Sequence, residues 1–510
     1  WQVKRSPETL PYDQVLAGLA AGAVTCLAGL IASVTGWQED RLTGESGKGD
    51  EGDESLHPRR FTTCLGSSFS GLCSPVAFLI AAGVFYASPW LPLTLVAGAT
   101  LVGLTLVRLD LGLAMVALSA PFYLHPRPLL GKSFSMAEIL ILMCVASWGL
   151  RLLTTGRFRR LSPRSLTWAD RGVLYLVLVA AAATLLADRR HVALRELRVV
   201  VLEPALFYLM LRTTEIREKA TWRIVDGFVV GVVLVALIGL LQYTMNVNVI
   251  TAEQGFRRLR SVYGSPNNAA LYLGRGLPIL LSVAFFAKTR QRRLVYGTLA
   301  MPVALALLLS FSRAAILLGI PAALLTLGVL AGGRWRWIAL GMVAAGAVAI
   351  VPLLNTPRFA GLLDPSRGTL FFRLQLWRAS WKMFLDHPWL GVGPDNFLYQ
   401  YRGRYILPSA WQEPHLSHAH NLPLTYATRL GIPGLTAGLV VYAAFWRQAL
   451  PLASSADPDR RALALGLMGS VAYGLGHGLV DASFFFVDLA LAFLLGLGLV
   501  QSIRRYGANG

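Results

Sequence analysis

The chain has 510 residues, 55% of them hydrophobic and only 15% charged, with a mean hydropathy of +0.54. A soluble globular protein carries about a quarter of its residues as charges, so an ordinary soluble domain is excluded. Lys and Arg number 47 against 27 Asp and Glu, a net charge of +20. With no basic helix or nucleic-acid fingerprint, that excess is expected from basic loops on the inner side of a membrane, and no nucleic acid partner is expected. Cys26, Cys64, Cys73 and Cys144 are too few and too scattered for a disulfide framework, and no Cys-x-x-Cys metal knot occurs.

A membrane-crossing helix needs about 20 mostly apolar residues. Such runs fall at 14–36, 69–88, 91–107, 109–124, 134–150, 172–187, 197–211, 223–243, 265–287, 294–311, 314–331, 336–353, 420–446, 461–480 and 484–503. Several are short or abut at Pro or Gly, so the expected fold is an all-α, polytopic integral membrane protein with about 14 transmembrane helices. No short apolar region with a cleavage site precedes the first run, and no cleaved signal peptide is expected. The N-terminal helices reach residue 220 and include a Gly/Ser-rich acidic loop at 37–64, expected to be disordered. A central part, 221–450, contains a large loop at 354–419, and C-terminal helices occupy 451–510.

Alternate loops set the expected orientation. The cation-rich loops 151–171 (Arg151, Arg157, Arg159, Arg160, Arg164, Arg171), 212–223, 288–293 and 334–336, with the tail Arg504–Arg505, fall on one side, which is read as cytoplasmic. The outward set is 188–196, 244–264, the turn at Ser312–Arg313, the long segment 354–419 and the turn near 481–483. These loops should avoid cations, yet they hold Arg257, Arg258, Arg260, Arg313, Arg358, Arg367, Arg373 and Arg378. Cations placed against the topological bias point to an anion bound on that face.

Within the long segment, Leu370, Leu374, Trp377, Trp381 and Phe384 recur at three- and four-residue steps, which predicts an amphipathic helix with its aromatic face toward lipid or the bundle. It ends at His387–Pro388, before a tight turn at Gly391–Asn396. Three outward elements carry chemistry. Arg258–Asn268 leads into a span through Gly-Ser-Pro-Asn, a helix-capping turn. Ser310–Arg313 places an arginine between apolar runs. His415–Asn421, followed by Gly431-Ile-Pro-Gly434, marks where the long loop re-enters the membrane. Histidine titrates near working pH and suits a proton acceptor there. A metal held by His418, His420 and His415 is not expected, because Glu413 is the only acidic residue close by in sequence. His477 and Asp481, four apart at the outer end of a span, are expected to pair and support the site.

Arg258–Asn268, Ser312–Arg313, the stretch from Arg373-x-x-x-Trp377 through Gly391-Val-Gly-Pro-Asp-Asn-Phe397, and His420-Asn421-x9-Gly431-x-x-Gly434 together resemble the O-antigen ligase/polymerase superfamily over about residues 220–450. The resemblance implies a C-type, inverting glycosyltransferase of the bacterial cytoplasmic (inner) membrane, with its active site facing outward and no cofactor or metal. Its donor is a polyprenyl-diphosphate-linked glycan, such as one on undecaprenyl diphosphate, and its acceptor a glycan, lipid or protein. It makes His420 the catalytic base and Arg258 and Arg313 the diphosphate ligands, assisted by Arg260, with His418 and Asn421 also at the substrate. Ala314 and Ala315 stand where the family often has glycine. Ligase and polymerase stay undivided, since both use the same donor chemistry.

Two other classes compete. A transporter or flippase of lipid-linked glycans would use a midplane site. Glu203–Pro204 in an apolar run is the feature that suits it, but no internal repeat accompanies it. A membrane scaffold would leave the outer arginines and His420 without a role.

Overall fold

In a bilayer an apolar segment finds no water for its backbone, so its N–H and C=O groups must pair within the segment. The computed structural model, which describes residues 73–129, 132–155, 166–214, 216–251, 255–352 and 368–508, is accordingly almost all helix. The expected span at 14–36, the loop at 37–64, Cys26, Cys64, Arg157, Arg159, Arg160, Arg164, Arg358 and Arg367 lie outside the described residues.

The helices, in chain order, are α1 (Cys73–Ala87), α2 (Leu91–Val107), α3 (Leu109–Ser119), α4 (Met136–Thr155), α5 (Trp168–Leu186), α6 (Arg190–Glu196) and α7 (Glu203–Thr213). Then come α8 (Glu218–Thr244), α9 (Pro266–Phe286), α10 (Arg290–Leu309), α11 (Ile320–Ala331), α12 (Arg334–Ile350), α13 (Gly368–Asp386), α14 (Phe397–Gln400), α15 (Leu422–Ala449), α16 (Pro458–Gly478) and α17 (Val487–Ala508). Wider, π-type turns at Leu197–Leu202, Ala315–Gly319 and Tyr401–Tyr405 join or extend helices. Two short antiparallel hairpins, β1–β2 (Arg127–Leu129 with Lys132–Phe134) and β3–β4 (Ile250–Thr251 with Arg257–Arg258), are the sheet among the described residues.

A helix occupies each expected span from 69–88 onward. Seven helices among the described residues are long and apolar enough to cross a membrane, and four shorter apolar ones accompany them; length and composition thus support half the expected count of about 14. One continuous buried cluster draws residues from Phe78 to Ile503, across all three expected segments. The lipid-facing sides carry exposed Leu, Val and Trp, including Leu95, Leu186, Trp337 and Val348, as a bilayer-solvated bundle requires.

The loops gather at two ends. At one, α4 and α7 finish and α5, α8 and α10 begin, with Asp459 accepting from the Lys288 amide and from Arg292. At the other, here the site end, five loop regions interlock: 187–189, 245–251 with 255–265, 309–313, 387–421 and 479–486. Asn396 holds both backbone groups of Arg189, and the Leu259 amide donates to Leu309 O at 2.9 Å.

Candidate active site

The site end is built on a break in α15. Gly431 adopts φ +67°, a left-handed conformation that interrupts the helix. A Cβ there would lie 2.4 Å from the Trp389 backbone, and one at Gly391 (φ +62°) would lie 2.4 Å from Thr428 O. Only glycine admits both this backbone and this approach. The break frees two carbonyls: Thr428 O accepts from the Val392 amide at 2.8 Å and Arg429 O from the Gly393 amide at 3.1 Å, while the Ile432 amide donates to Pro388 O at 2.7 Å. The two glycine-bearing motifs of the sequence are therefore one joint, which seats the long loop on α15. Arg429, buried in the same turn, pairs with the carboxylate of Glu196, donates to Ser417 O at 3.2 Å and stacks on Phe485.

That joint fixes the histidine segment. Asn421 caps α15: its Oδ1 accepts from the Leu424 amide and its Nδ2 donates to Leu479 O, both at 2.9 Å. Asn421, expected at the substrate, ties the histidine segment to the turn after α16. That turn is held from below by Arg275, fully buried in α9, which donates to Ser483 O at 2.7 Å and Ser470 O at 3.0 Å. It presents Asp481, whose Oδ1 meets His420 Nδ1 at 2.9 Å, His418 Nε2 at 3.4 Å and the Ala482 amide at 2.9 Å. His420 has φ +45°, a conformation costing about 1–3 kcal/mol for a non-glycine residue and sustained only where its surroundings over-determine it.

The pairing expected between His477 and Asp481 is not a hydrogen bond. α16 ends at Gly478, so Asp481 lies beyond the helix rather than one turn along its face. His477 Nε2 stays 3.9 Å from Asp481 Oδ2, within ion-pair reach only, and among the described residues neither buried atom has a hydrogen-bond partner. His477 Nδ1 faces Tyr473 Oη at 3.3 Å. The partner of Asp481 is His420, across 61 residues of sequence.

Burial is the largest influence on Asp481 and opposes its charge, yet the charges of and hydrogen bonds from His420 and His418 outweigh it and hold the carboxyl well below the usual carboxylate range. Burial lowers the pKa of His418, and neighbouring His420 lowers it further, against the pull of Asp481. An ionised carboxylate only accepts, so Nδ1 of His420 carries a proton whether the ring is charged or neutral; in the neutral ring Nε2 presents a lone pair. A quarter of the His420 side chain is solvent-accessible.

The amphipathic helix expected in the long segment is α13. Its buried stripe is Leu376, Ala379, Ser380 and Met383, while Trp381 points outward at 53% exposure and packs on Phe384. One face lies along the site. Arg313 donates to Thr369 Oγ1 at 2.7 Å, and two turns on, about 12 Å along the axis, Trp377 Nε1 donates to His420 O at 3.4 Å. Arg373 stands between, one turn from each, and among the described residues it donates no hydrogen bond. Burial, its largest influence, draws its pKa down, and the carboxylates of Asp481 and Glu413 push it back up. It stays a cation. The four-residue step from Arg373 to Trp377 signalled the shared face in the sequence; that this face runs past Asp481 did not show there.

The other expected arginines are more engaged. Arg258 donates to Ser310 O and Asn267 Oδ1, both at 3.0 Å, which joins the 255–265 loop to the Ser312–Arg313 tip. Ser265 caps α9 as expected, accepting from the Asn268 amide. Arg260 donates to Asn248 O at 3.1 Å and to its side chain. His415 is exposed and apart from the histidine pair. The three side chains that do offer ligand atoms within 4.8 Å of one another are His418, His420 and Asp481, a set able to hold a metal ion.

Residues 298–439 match the family model described as O-antigen ligase. The match spans Arg313, Arg373, both histidines and the glycine joint, whereas Arg258 and Asp481 lie outside it. No curated protein matches the chain.

Proposed function

The match over residues 298–439 supports membership of the O-antigen ligase superfamily, and from that premise we propose that the chain is a polytopic membrane glycosyltransferase that moves a glycan from a polyprenyl-diphosphate carrier to an acceptor hydroxyl. The observation that carries this reading is the His420–Asp481 pair, with Nε2 of His420 unpartnered among the described residues, at one end of a helix face whose other end is Arg313.

In the proposed step the acceptor hydroxyl attacks the anomeric carbon from the side opposite the diphosphate. Its proton goes to His420 Nε2 as the new C–O bond forms. The bond from the anomeric carbon to phosphate oxygen breaks, its electrons stay on the diphosphate, and the configuration inverts. Asp481 holds the reactive tautomer and stabilises the imidazolium that forms, as a buried carboxylate behind a base does. Arg373, Arg313 and Arg258 neutralise charge developing on the leaving diphosphate; the guanidinium stays charged and donates two parallel hydrogen bonds. Asn421 and His477 support the fold of the site, and His418 stands against Asp481 as a second neighbour. The site is assigned to the outer face of a bacterial inner membrane, because the cation-rich loops 212–223 and 288–293 lie at the opposite end of the bundle.

The test is transfer by the purified protein in nanodiscs with a lipid-diphosphate-linked donor. His420→Ala should lower the rate by at least about 100-fold with donor binding retained, and Arg373→Gln should weaken both. A His420→Ala protein that turns over normally removes the base.

A second reading rests on the His418, His420 and Asp481 set: a divalent ion there would occupy the nitrogens that face Asp481. Transfer that survives exhaustive chelation supports the base. Transfer lost on chelation and restored by one divalent ion moves the chemistry to the metal.

A further inference from the structure

Resting on the glycan-transfer reading, we propose that a cavity between Asp188–Arg189 and Tyr399–Arg404 is a separate subsite that binds an acidic sugar unit of the glycan. The cavity holds about 500 Å³. It belongs to the site end: Arg189 is pinned to Asn396, and Phe397, Tyr401 and Tyr405, from the same short helical stretch as Tyr399, pack in a small core with Ala419, the residue between His418 and His420.

Three features of the lining define the ligand. The ring of Tyr399 is 43% exposed. The Arg189 guanidinium covers it from one side at 4.7 Å, while Gly403, four residues on, puts no side chain near it and has open space where a Cβ would stand. An open aromatic face beside convergent polar groups suits the C–H face of a pyranose ring.

The second feature is Gln400, only 7% exposed. Its Nε2 donates to the carboxylate of Asp188, which fixes the orientation of the amide because a carboxylate only accepts. Among the described residues Oε1 is then a buried acceptor with no hydrogen-bond partner, which is unfavourable. Gln400 also lines the cavity, and a ligand that reached Oε1 would have to bring a donor. A sugar hydroxyl does so, and a bare phosphate or carboxylate does not.

The third is charge. Arg189 and Arg404 line the cavity with one carboxylate, Asp188, already engaged by Gln400. Arg190 and Arg402, next to lining residues in sequence, are exposed. The surplus of cations fits a sugar that carries a carboxylate, with Arg404 free to take it in a forked pair.

The test uses the full chain in phosphatidylcholine nanodiscs, with tetragalacturonate and maltotetraose titrated separately by calorimetry. The galacturonate should bind at least about tenfold more tightly than the neutral sugar. Tyr399→Ala and Arg404→Gln should each weaken it about tenfold, and Tyr399→Phe, which keeps the ring, should not. His420→Ala should bind as the wild type does. Absence of binding by either sugar, equal binding of both, or tight binding that persists in a Tyr399→Ala/Arg404→Gln double variant overturns the proposal. So does loss of galacturonate binding when phosphatidylglycerol replaces phosphatidylcholine, since a lipid head group would then be the occupant. The readout is binding alone: a wild-type protein that binds tetragalacturonate through Tyr399 yet transfers nothing sinks the transferase reading and leaves this subsite standing.

Discussion

The two ends of the bundle use their carboxylates differently. At the end away from the site Asp110 pairs with Arg108 and Arg223, Asp170 with Arg212, and Asp459 with Arg292, while Asp226 accepts from the Tyr296 hydroxyl. At the site end Glu196 keeps an arginine, Arg429, but Asp481 meets two histidines and Asp188 meets an amide. Among the described residues, buried polar atoms without a hydrogen-bond partner there include Ser312 Oγ, Gln400 Oε1, His477 Nε2 and Asp481 Oδ2. A carboxylate clamped by arginine has one charge state at any working pH and only holds helices together. A carboxylate facing histidine belongs to a pair whose charge changes with one proton, and unsatisfied neighbours are tolerated where a substrate will complete them.

Asp481→Asn set against Asp459→Asn is the sharpest way to break this contrast. Asparagine offers Nδ1 of His420 a donor as readily as an acceptor, so the reactive tautomer is lost. Transfer should fall about 100- to 10,000-fold with the melting temperature little changed. Asp459→Asn should leave turnover intact and lower stability by about 1 kcal/mol. Equal effects of the two substitutions on turnover would erase the distinction between the ends.

Arg429→Met should have the next largest effect, on stability. It strands the Glu196 carboxylate, which is buried with its partner; breaking such a pair costs about 3–5 kcal/mol. The Arg429→Met/Glu196→Gln double variant should recover most of the loss in thermal unfolding. A single variant that melts like the wild type would mean that the glycine joint holds the loop without the ion pair.

The smallest expected effect is on pH dependence. His418 binds its proton more weakly folded than unfolded, because burial and His420 lower its pKa. From the unfolded value near about 6.5 downward, the unfolded chain holds a proton that the folded chain lacks, so stability rises with pH across that window and levels off above it. His418→Gln should flatten the acid limb of a melting-temperature profile. An unchanged limb would assign it to another group.

The helices were legible because a bilayer admits few solutions: a long apolar run must close its own hydrogen bonds, whatever its neighbours are. The Ser265 cap and the start of α9 at Pro266 were legible for a similar reason, since capping is settled within four residues. The partner of His420 was not. Asp481 lies 61 residues away, in the turn after α16, and its nearer neighbour in sequence, His477, would share a helix face with it only if α16 ran on past Gly478. Arg373 stood among the outward arginines, but its place beside Asp481 depends on how α13 is laid across the bundle.

Composition and local spacing by themselves determined a helical membrane protein, the expected segregation of its basic loops, the amphipathic helix in the long loop and the residue types able to handle an anion and a proton. Tertiary structure alone decided which of those residues meet. The joint between Gly391 and Gly431 seats the long loop on α15, Arg275 and Asn421 bring the Asp481 turn against His420, and Asn396 with Gln400 frames the Arg189–Tyr399 cavity. Local rules act over a turn or two of chain because they depend on one segment's own hydrogen bonds. Contacts across 60 to 200 residues depend on the packing of whole helices, which no single stretch of sequence encodes.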